Sequence, residues 1–150
     1  MSKYRKLAHA IYRCDYHVVF VPKYRYRVLT GEIAERVERD IRTLCAWRDV
    51  EVLELSVQSD HVHLACSIPP KISVSTFVGF LKGKLAIKLF RSYPGLKKKP
   101  YWGNHFWARG YFVTTFGVDA EIVRRYVRHQ EEREKEDEEY QKGFDLFPER

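Results

Sequence analysis

His61 and His63 are the residues whose type and spacing most directly suggest chemistry. They stand two apart in Asp60-His61-Val62-His63-Leu64, inside an apolar, β-branched stretch from Glu51 to Ile68. A polar Gln58-Ser59-Asp60 break divides that stretch, so it reads as two strands joined by a tight turn, with the histidines opening the second strand. Side chains alternate along a strand, which projects both imidazoles from one face and Val62, Leu64 and Cys66 from the other. Imidazole nitrogens bind borderline divalent metals, so the pair makes a half-site that needs a third ligand and leaves positions open for substrate. A lone His-x-His is more often a pair of ordinary surface or hydrogen-bonded histidines, and its weight depends on partners elsewhere.

Those partners could come from Tyr126 and Gln130. They lie four residues apart in a stretch whose apolar positions are Ile122, Val123 and Val127. On a helix that spacing is one turn, and the apolar neighbours make their face the inward one. A helix packed over the histidine face could deliver the Gln130 oxygen as a third ligand and the Tyr126 phenol as a nucleophile. Against this, an aromatic in an apolar stripe is ordinarily core, while an inward amide needs hydrogen-bond partners.

The elements that must position these groups follow from periodicity. Asp15 to Pro22 is expected as a strand by its β-branched density. Gly31 to Arg48 is expected as a helix with Ile33, Val37, Ile41, Leu44 and Cys45 along one stripe. After the Glu51–Ile68 hairpin, Pro69-Pro70 breaks the chain, and Ser73 to Tyr93 repeats the helical pattern through Val74, Phe77, Val78, Leu81, Leu85 and Leu89. Gly79 and Gly83 in its middle would permit close approach of another backbone, a neighbouring strand or nucleic acid. Gly110 to Phe116 reads as the last strand, and Asp119 is placed to cap a final helix running to about Tyr140. Met1 to Arg13 reads as a loose lead-in, and Phe144-Asp145-Leu146-Phe147-Pro148 as a tail that could dock back.

Together these give one α/β domain over residues 1–150, with 131–150 as a charged helical extension and tail. The sequence is 45% hydrophobic and 31% charged, which suits a globular protein. No apolar run approaches the roughly 18 residues of a membrane span, and Met1 to Arg13 lacks the core of a secretory signal, so a cytoplasmic protein is expected. Cys14, Cys45 and Cys66 form no Cys-x-x-Cys pair and are expected as reduced thiols. The net charge is +7, but residues 119–150 hold 7 basic and 11 acidic residues, leaving 20 and 9 in the rest. A basic body with 15% aromatic residues suits a polyanion such as nucleic acid. Lys23-Tyr24-Arg25-Tyr26-Arg27 alternates cations and rings, as a phosphate and base contact strip or a half-exposed strand would. Leu96-Lys97-Lys98-Lys99-Pro100 running into Tyr101-Trp102 has the same character, with Trp107 further on expected in the core.

The blocks Val19-Phe20-Val21-Pro22-Lys23-Tyr24-Arg25, Ser59-Asp60-His61-Val62-His63-Leu64, Phe80-Leu81-Lys82-Gly83-Lys84, Pro94-Gly95-Leu96-Lys97-Lys98, Trp102-Gly103, Phe106-Trp107-Ala108-Arg109-Gly110-Tyr111-Phe112 and Tyr126-Val127-x-x-Gln130 occur in this order. In that order and spacing, from about Asp15 to Gln130, the sequence resembles the single-tyrosine HUH transposases of small insertion sequences, which move as single-stranded DNA. The resemblance implies a ferredoxin-like (RRM-like) sandwich with an antiparallel β-sheet and a C-terminal helix carrying the nucleophile. It implies that His61, His63 and Gln130 hold a divalent ion, Mg2+ or Mn2+. It implies that Tyr126 attacks the scissile phosphodiester to give a 5′-phosphotyrosine, with no nucleotide cofactor. Subterminal hairpins on single strands are the implied substrate and a homodimer the implied assembly, with the tyrosine helix swung on a glycine loop for which Gly117 is the match. Lys23, Arg25, Lys82, Lys84, Lys97, Lys98 and Lys99 are the candidate DNA contacts. The acidic run after Gln130 has no counterpart in the family pattern.

Three other readings stay open on the residues alone. A non-catalytic nucleic-acid-binding module of ferredoxin-like topology would need stacking aromatics but no metal triad. A histidine-triad phosphohydrolase would want a third histidine where Ala65 stands. A domesticated relative processing repeated genomic hairpins would share the transposase chemistry.

Overall fold

The computed structural model describes residues 4–98, 105–115 and 120–146. Two short strands, β1 (Arg5–Leu7) and β2 (Ala10–Tyr12), form an antiparallel ribbon at the start. From Tyr4 on, the expected loose lead-in is thus ordered: each strand satisfies the other's backbone groups, and Arg5 pairs with Glu51 at the edge of the main sheet. Then come β3 (Asp15–Phe20), α1 (Gly31–Trp47), β4 (Glu51–Gln58), β5 (His61–Ser67), α2 (Val74–Ser92), β6 (Phe112–Thr114) and α3 (Ala120–Leu146).

The main sheet is antiparallel in the order β4-β5-β3-β6, the ferredoxin-like arrangement in which the two hairpin-distant strands meet at the centre. Alternation sorts its residues between two faces. Val18, Phe20, Val62, Leu64 and Cys66 join Val37, Ile41 and Leu44 of α1 and Phe77, Leu81, Leu85 and Leu89 of α2 in the main core. Val19, Val21 and Ala108 point the other way and meet Val123 and Val127 of α3 in a second, much smaller apolar cluster. The three-layer order is therefore helices, sheet, tyrosine-bearing helix.

Local sequence explains the joints. Ser73 caps α2, its hydroxyl accepting from the Thr76 amide at 3.1 Å. At the end of α1 Asp49 takes the left-handed conformation (φ 57), and the amides of Asp49 and Val50 return to the carbonyls of Ala46 and Cys45. This closes a Schellman turn without glycine and sends the chain straight into β4. Cys45 and Cys66 are buried free thiols, and burial pushes Cys45 up to about 12.

Several details differ from expectation. β6 is three residues long because Gly110 has φ +80, outside strand geometry. The Lys23–Arg25 stretch is not a strand but a 3-10 turn in which Tyr24 (φ 56) and Arg25 (φ 53) are both left-handed. Among the described residues nothing lies within 4 Å of where a Cβ on Gly79 or Gly83 would sit, so no described strand requires them. α3 continues through Leu146, so Phe144 to Leu146 prolong the helix instead of folding back. The Asp119 cap, Gly117, Trp102-Gly103 and Lys99 lie outside the described residues. Among the described residues no helix is long and apolar enough to cross a membrane.

Candidate active site

The face of the sheet turned away from α1 and α2 carries the chemistry. In the β3–β5 ladder His63 pairs with Val19 and His17 with Ala65, while His61 lies two residues before His63. Residues in register share a face, so His17, His61 and His63 all project on the side that α3 covers in part. His61 donates from Nδ1 to Asp60 Oδ1 at 2.8 Å. A carboxylate on Nδ1 fixes the tautomer and leaves Nε2 as the basic nitrogen. His63 Nε2 lies 3.2 Å from His17 Nδ1. Burial, with His17 beside it, holds His63 below the ordinary imidazole range, so it is neutral at neutral pH.

α3 brings Tyr126 and Gln130 to the same face. Val19 pairs with Phe112 on β6, so His63, Val19 and Phe112 form a row across three strands. The Tyr126 ring packs on the far end of that row, 5.7 Å from the ring of Phe112. Two strand spacings, about 10 Å, separate the ends of the row. Gln130, 6% exposed, donates from Nε2 to the Tyr126 hydroxyl at 2.8 Å and to the Arg109 carbonyl at 3.1 Å. Gly110 beside it takes φ +80, which suits glycine, and a Cβ there would make only ordinary contact, 3.6 Å, with Gln130 Nε2. The amide's donor side is thereby engaged and its oxygen is the side suited to a cation. Burial raises the Tyr126 phenol, and the hydrogen bond from Gln130 opposes the rise.

The remaining candidates divide by what their cations touch. Arg25 Nε meets Asp60 at 2.9 Å and its Nη1 meets Glu131 at 3.0 Å. Lys23 Nζ lies 3.5 Å from Glu134. Lys82 is turned inward, its ammonium donating to the carbonyls of Ala108 and Gly110 at 2.8 Å each, and burial brings it down to about 8. Lys84 is exposed on α2, and Lys97 lies over the Phe90 ring. The backbone of Lys98 belongs to a 3-10 turn, its side chain to the undescribed atoms.

Sequence reasoning did not single out His17, Asp60, Glu131 or Glu134. Asp60 had a signal, a carboxylate adjacent to a candidate ligand. His17 needed the strand register, which no pattern in one strand contains.

By type the donors suit a divalent cation, two imidazoles on one face and an inward amide on α3, but in this arrangement the amide stays with Tyr126 at the Phe112 end of the row, about two strand spacings from His63, and does not meet the imidazoles. Among the described residues no group of three His, Cys, Asp or Glu side chains is gathered for a metal.

Residues 10–130 match the family model described as "Transposase IS200 like". The chain belongs to the IS200-like transposase family. It is 42% identical over 135 residues to the transposase for insertion sequence element IS200 of Salmonella typhimurium, covering 90% of this chain and 88% of that protein. To the ISDra2 transposase TnpA of Deinococcus radiodurans it is 34% identical over 125 residues, covering 83% and 89%. A Deinococcus radiodurans crystal structure assigned as a transposase superposes with a TM-score of 0.77 at 31% identity, covering 84% of this chain and 97% of that one. A REP-associated tyrosine transposase bound to a REP hairpin shares the fold, with a TM-score of 0.50 at 19% identity over 85% of this chain and 68% of that one. This IS200-like transposase thus has the antiparallel α/β sandwich of its structural relatives, with the C-terminal helix lying over the histidine side of the sheet.

Proposed function

We propose that this IS200-like transposase cuts and rejoins single-stranded DNA at the ends of its element, with Tyr126 as the nucleophile and His61, His63 and Gln130 as the holders of Mg2+ or Mn2+. The observation that supports the reading is that the Tyr126–Gln130 pair and the row containing His63 share one face of the sheet. When bound, a divalent ion there would act as a Lewis acid on a non-bridging phosphate oxygen.

The protein's own groups do the rest. The Tyr126 oxygen attacks phosphorus, and its proton passes through solvent to the departing 3′-oxygen. The Tyr126–phosphorus bond forms as the phosphorus–3′-oxygen bond breaks, leaving a 5′-phosphotyrosine and a free 3′-hydroxyl. A 3′-hydroxyl of another strand reverses these steps and restores a phosphodiester, so neither water nor a nucleotide cofactor is consumed. Asp60 orients His61, and burial keeps His63 in the neutral form that ligates. Because Gln130 holds the phenol against Phe112 in this arrangement, the reading requires α3 to move relative to a histidine pair, its own or a sister subunit's in a homodimer, with Gly117 as the proposed hinge. Hairpin-bearing single strands are the proposed substrate and the cytoplasm the proposed location.

Incubation with a hairpin-bearing single strand and Mn2+, followed by a denaturing gel, tests the proposal. A covalent protein–DNA adduct should form and vanish in Tyr126→Phe. An undiminished adduct in that variant removes Tyr126 from its role, and equal cutting of duplex removes the single-strand preference.

A further inference from the structure

The geometry points to Arg25 as a positioning residue that couples the docking of α3 to the orientation of His61. The inference rests on the roles proposed above for Tyr126 and His61. Four side chains form an unbroken chain from the helix to the imidazole. Glu131, the residue after Gln130, accepts from Arg25 Nη1 at 3.0 Å; Arg25 Nε donates to Asp60 Oδ2 at 2.9 Å; and Asp60 Oδ1 accepts from His61 Nδ1 at 2.8 Å. The guanidinium is planar and rigid, so one group fixes two carboxylates relative to each other, which a lysine ammonium cannot do. The hydrogen bonds to Asp60 and Glu131 hold Arg25 above its ordinary range. Burial works against Asp60, but its bonds to His61 and Arg25 keep it below the usual carboxylate range.

A second tie acts on the backbone that aims Arg25. Tyr24 and Arg25 are consecutive non-glycine residues with φ of 56 and 53, a conformation that side chains disfavour and that surroundings must hold. The holding group comes from α3. Glu134, 8% exposed and one turn beyond Gln130, accepts from the Tyr24 amide at 2.8 Å. The helix that carries Tyr126 therefore both maintains the turn and grips the side chain the turn presents. When α3 leaves, Arg25 loses Glu131, the turn loses Glu134, and the Asp60–His61 pair loses its brace. The acidic residues just past Gln130 acquire a role as the helix half of this connection.

The test uses the full chain without DNA or metal. Ring 15N signals of His61 report which nitrogen carries the proton, and amide hydrogen exchange across 121–135 reports the docking of α3. Glu131→Gln alters a group three contacts removed from the imidazole. It is expected to shift the His61 ring signals toward mixed tautomers and to lower α3 protection about tenfold, as loss of a charged hydrogen bond does. Asp60→Asn should lower α3 protection as well, because coupling is reciprocal. Arg25→Lys keeps the charge without the fork and should behave like Glu131→Gln. With Mn2+ and saturating single strand, Glu131→Gln should slow adduct formation about tenfold while strand affinity stays unchanged, a split that a general loss of stability does not produce. Unchanged His61 signals in Glu131→Gln, or unchanged α3 protection in Asp60→Asn, overturns the coupling. A wild-type chain that forms no Tyr126 adduct sinks the cleavage reading instead, while the spectra and exchange still decide the coupling.

Discussion

Gln130 holds the Tyr126 hydroxyl from one helical turn away, Nε2 to Oη at 2.8 Å, while the same nitrogen donates to the Arg109 carbonyl. The phenol is thus an acceptor in a half-buried place that raises its pKa, so in the proposed reaction it would attack poorly until α3 shifts or the amide turns. Tyr126→Phe deletes one hydrogen bond yet leaves Gln130 its bond to Arg109. It should cost about 1 kcal/mol of stability or less while abolishing the DNA adduct. Denaturant midpoints read beside the gel check both halves.

His61 and His63 should separate cleavage from binding. Replacing either with Ala removes an imidazole from the α3-facing side and leaves Lys84 and Lys97 untouched. Cleavage with Mn2+ should fall by more than about a hundredfold, with single-strand affinity within about twofold of wild type. Equal losses of both would mean the histidines contact DNA rather than serve the reaction.

The pH dependence of Lys82 has a definite sign. Its folded-state pKa is brought down from 10.5 to about 8, chiefly by burial, so between those values the unfolded chain binds more protons than the folded one. Stability contributed by this group therefore rises with pH across that window, by at most about 1.4 kcal/mol per unit. The buried thiols Cys45 and Cys66, raised by burial, act in the opposite direction. The difference in unfolding free energy between wild type and Lys82→Met cancels the thiols and should climb from pH 8 to pH 10. A flat difference would mean the carbonyls of Ala108 and Gly110 compensate the burial fully.

The succession of strands and both core helices were legible because each rests on a local pattern: β-branched density in β3, alternation in β5, and an i, i+4 stripe from Val37 to Leu44 and from Phe77 to Leu89. The histidine face followed from the same alternation. What the sequence concealed depends on pairing between distant segments. His17 meets His63 only through the β3–β5 register, and Arg25 meets Glu131 only because α3 crosses the turn after β3. The placement of Lys82 was hidden for a related reason. Beside Lys84 and Lys88 it reads as one of a basic face, but the loop at 108–110 happens to close over it and turns its ammonium to carbonyls. The 3-10 turn at Tyr24 was hidden because left-handed φ in a bulky residue is imposed by tertiary contacts and leaves no compositional mark.

That distinction among the lysines makes a measurable claim. Lys84→Gln and Lys97→Gln each remove a cation available to phosphate, and each should lower single-strand affinity and reduce the slope of log K against log salt by about 0.7. Lys82→Met should leave the slope unchanged, since its ammonium is already bound to backbone oxygens. Filter binding or fluorescence anisotropy across a salt series distinguishes the two classes.

The two faces of the sheet should also differ in what their disruption does. Leu81 is fully buried in the large core, and Leu81→Ala should cost about 2–5 kcal/mol, lowering hydrogen-exchange protection in β3, β5, α1 and α2 together. Val127 belongs to the small cluster with Val19, Val21, Ala108 and Val123, and Val127→Ala removes two methyl groups worth about 1–2 kcal/mol. Because that cluster is most of what apolar packing holds α3 to the sheet, the loss should appear first as faster exchange within α3, with the main-core strands still protected. Such local loosening would carry Tyr126 with it, so Val127→Ala should alter the rate of adduct formation more than the denaturation midpoint. Exchange that accelerates uniformly over the whole chain would show instead that α3 opens only when the sheet does, and that a swinging tyrosine helix is not available to this fold.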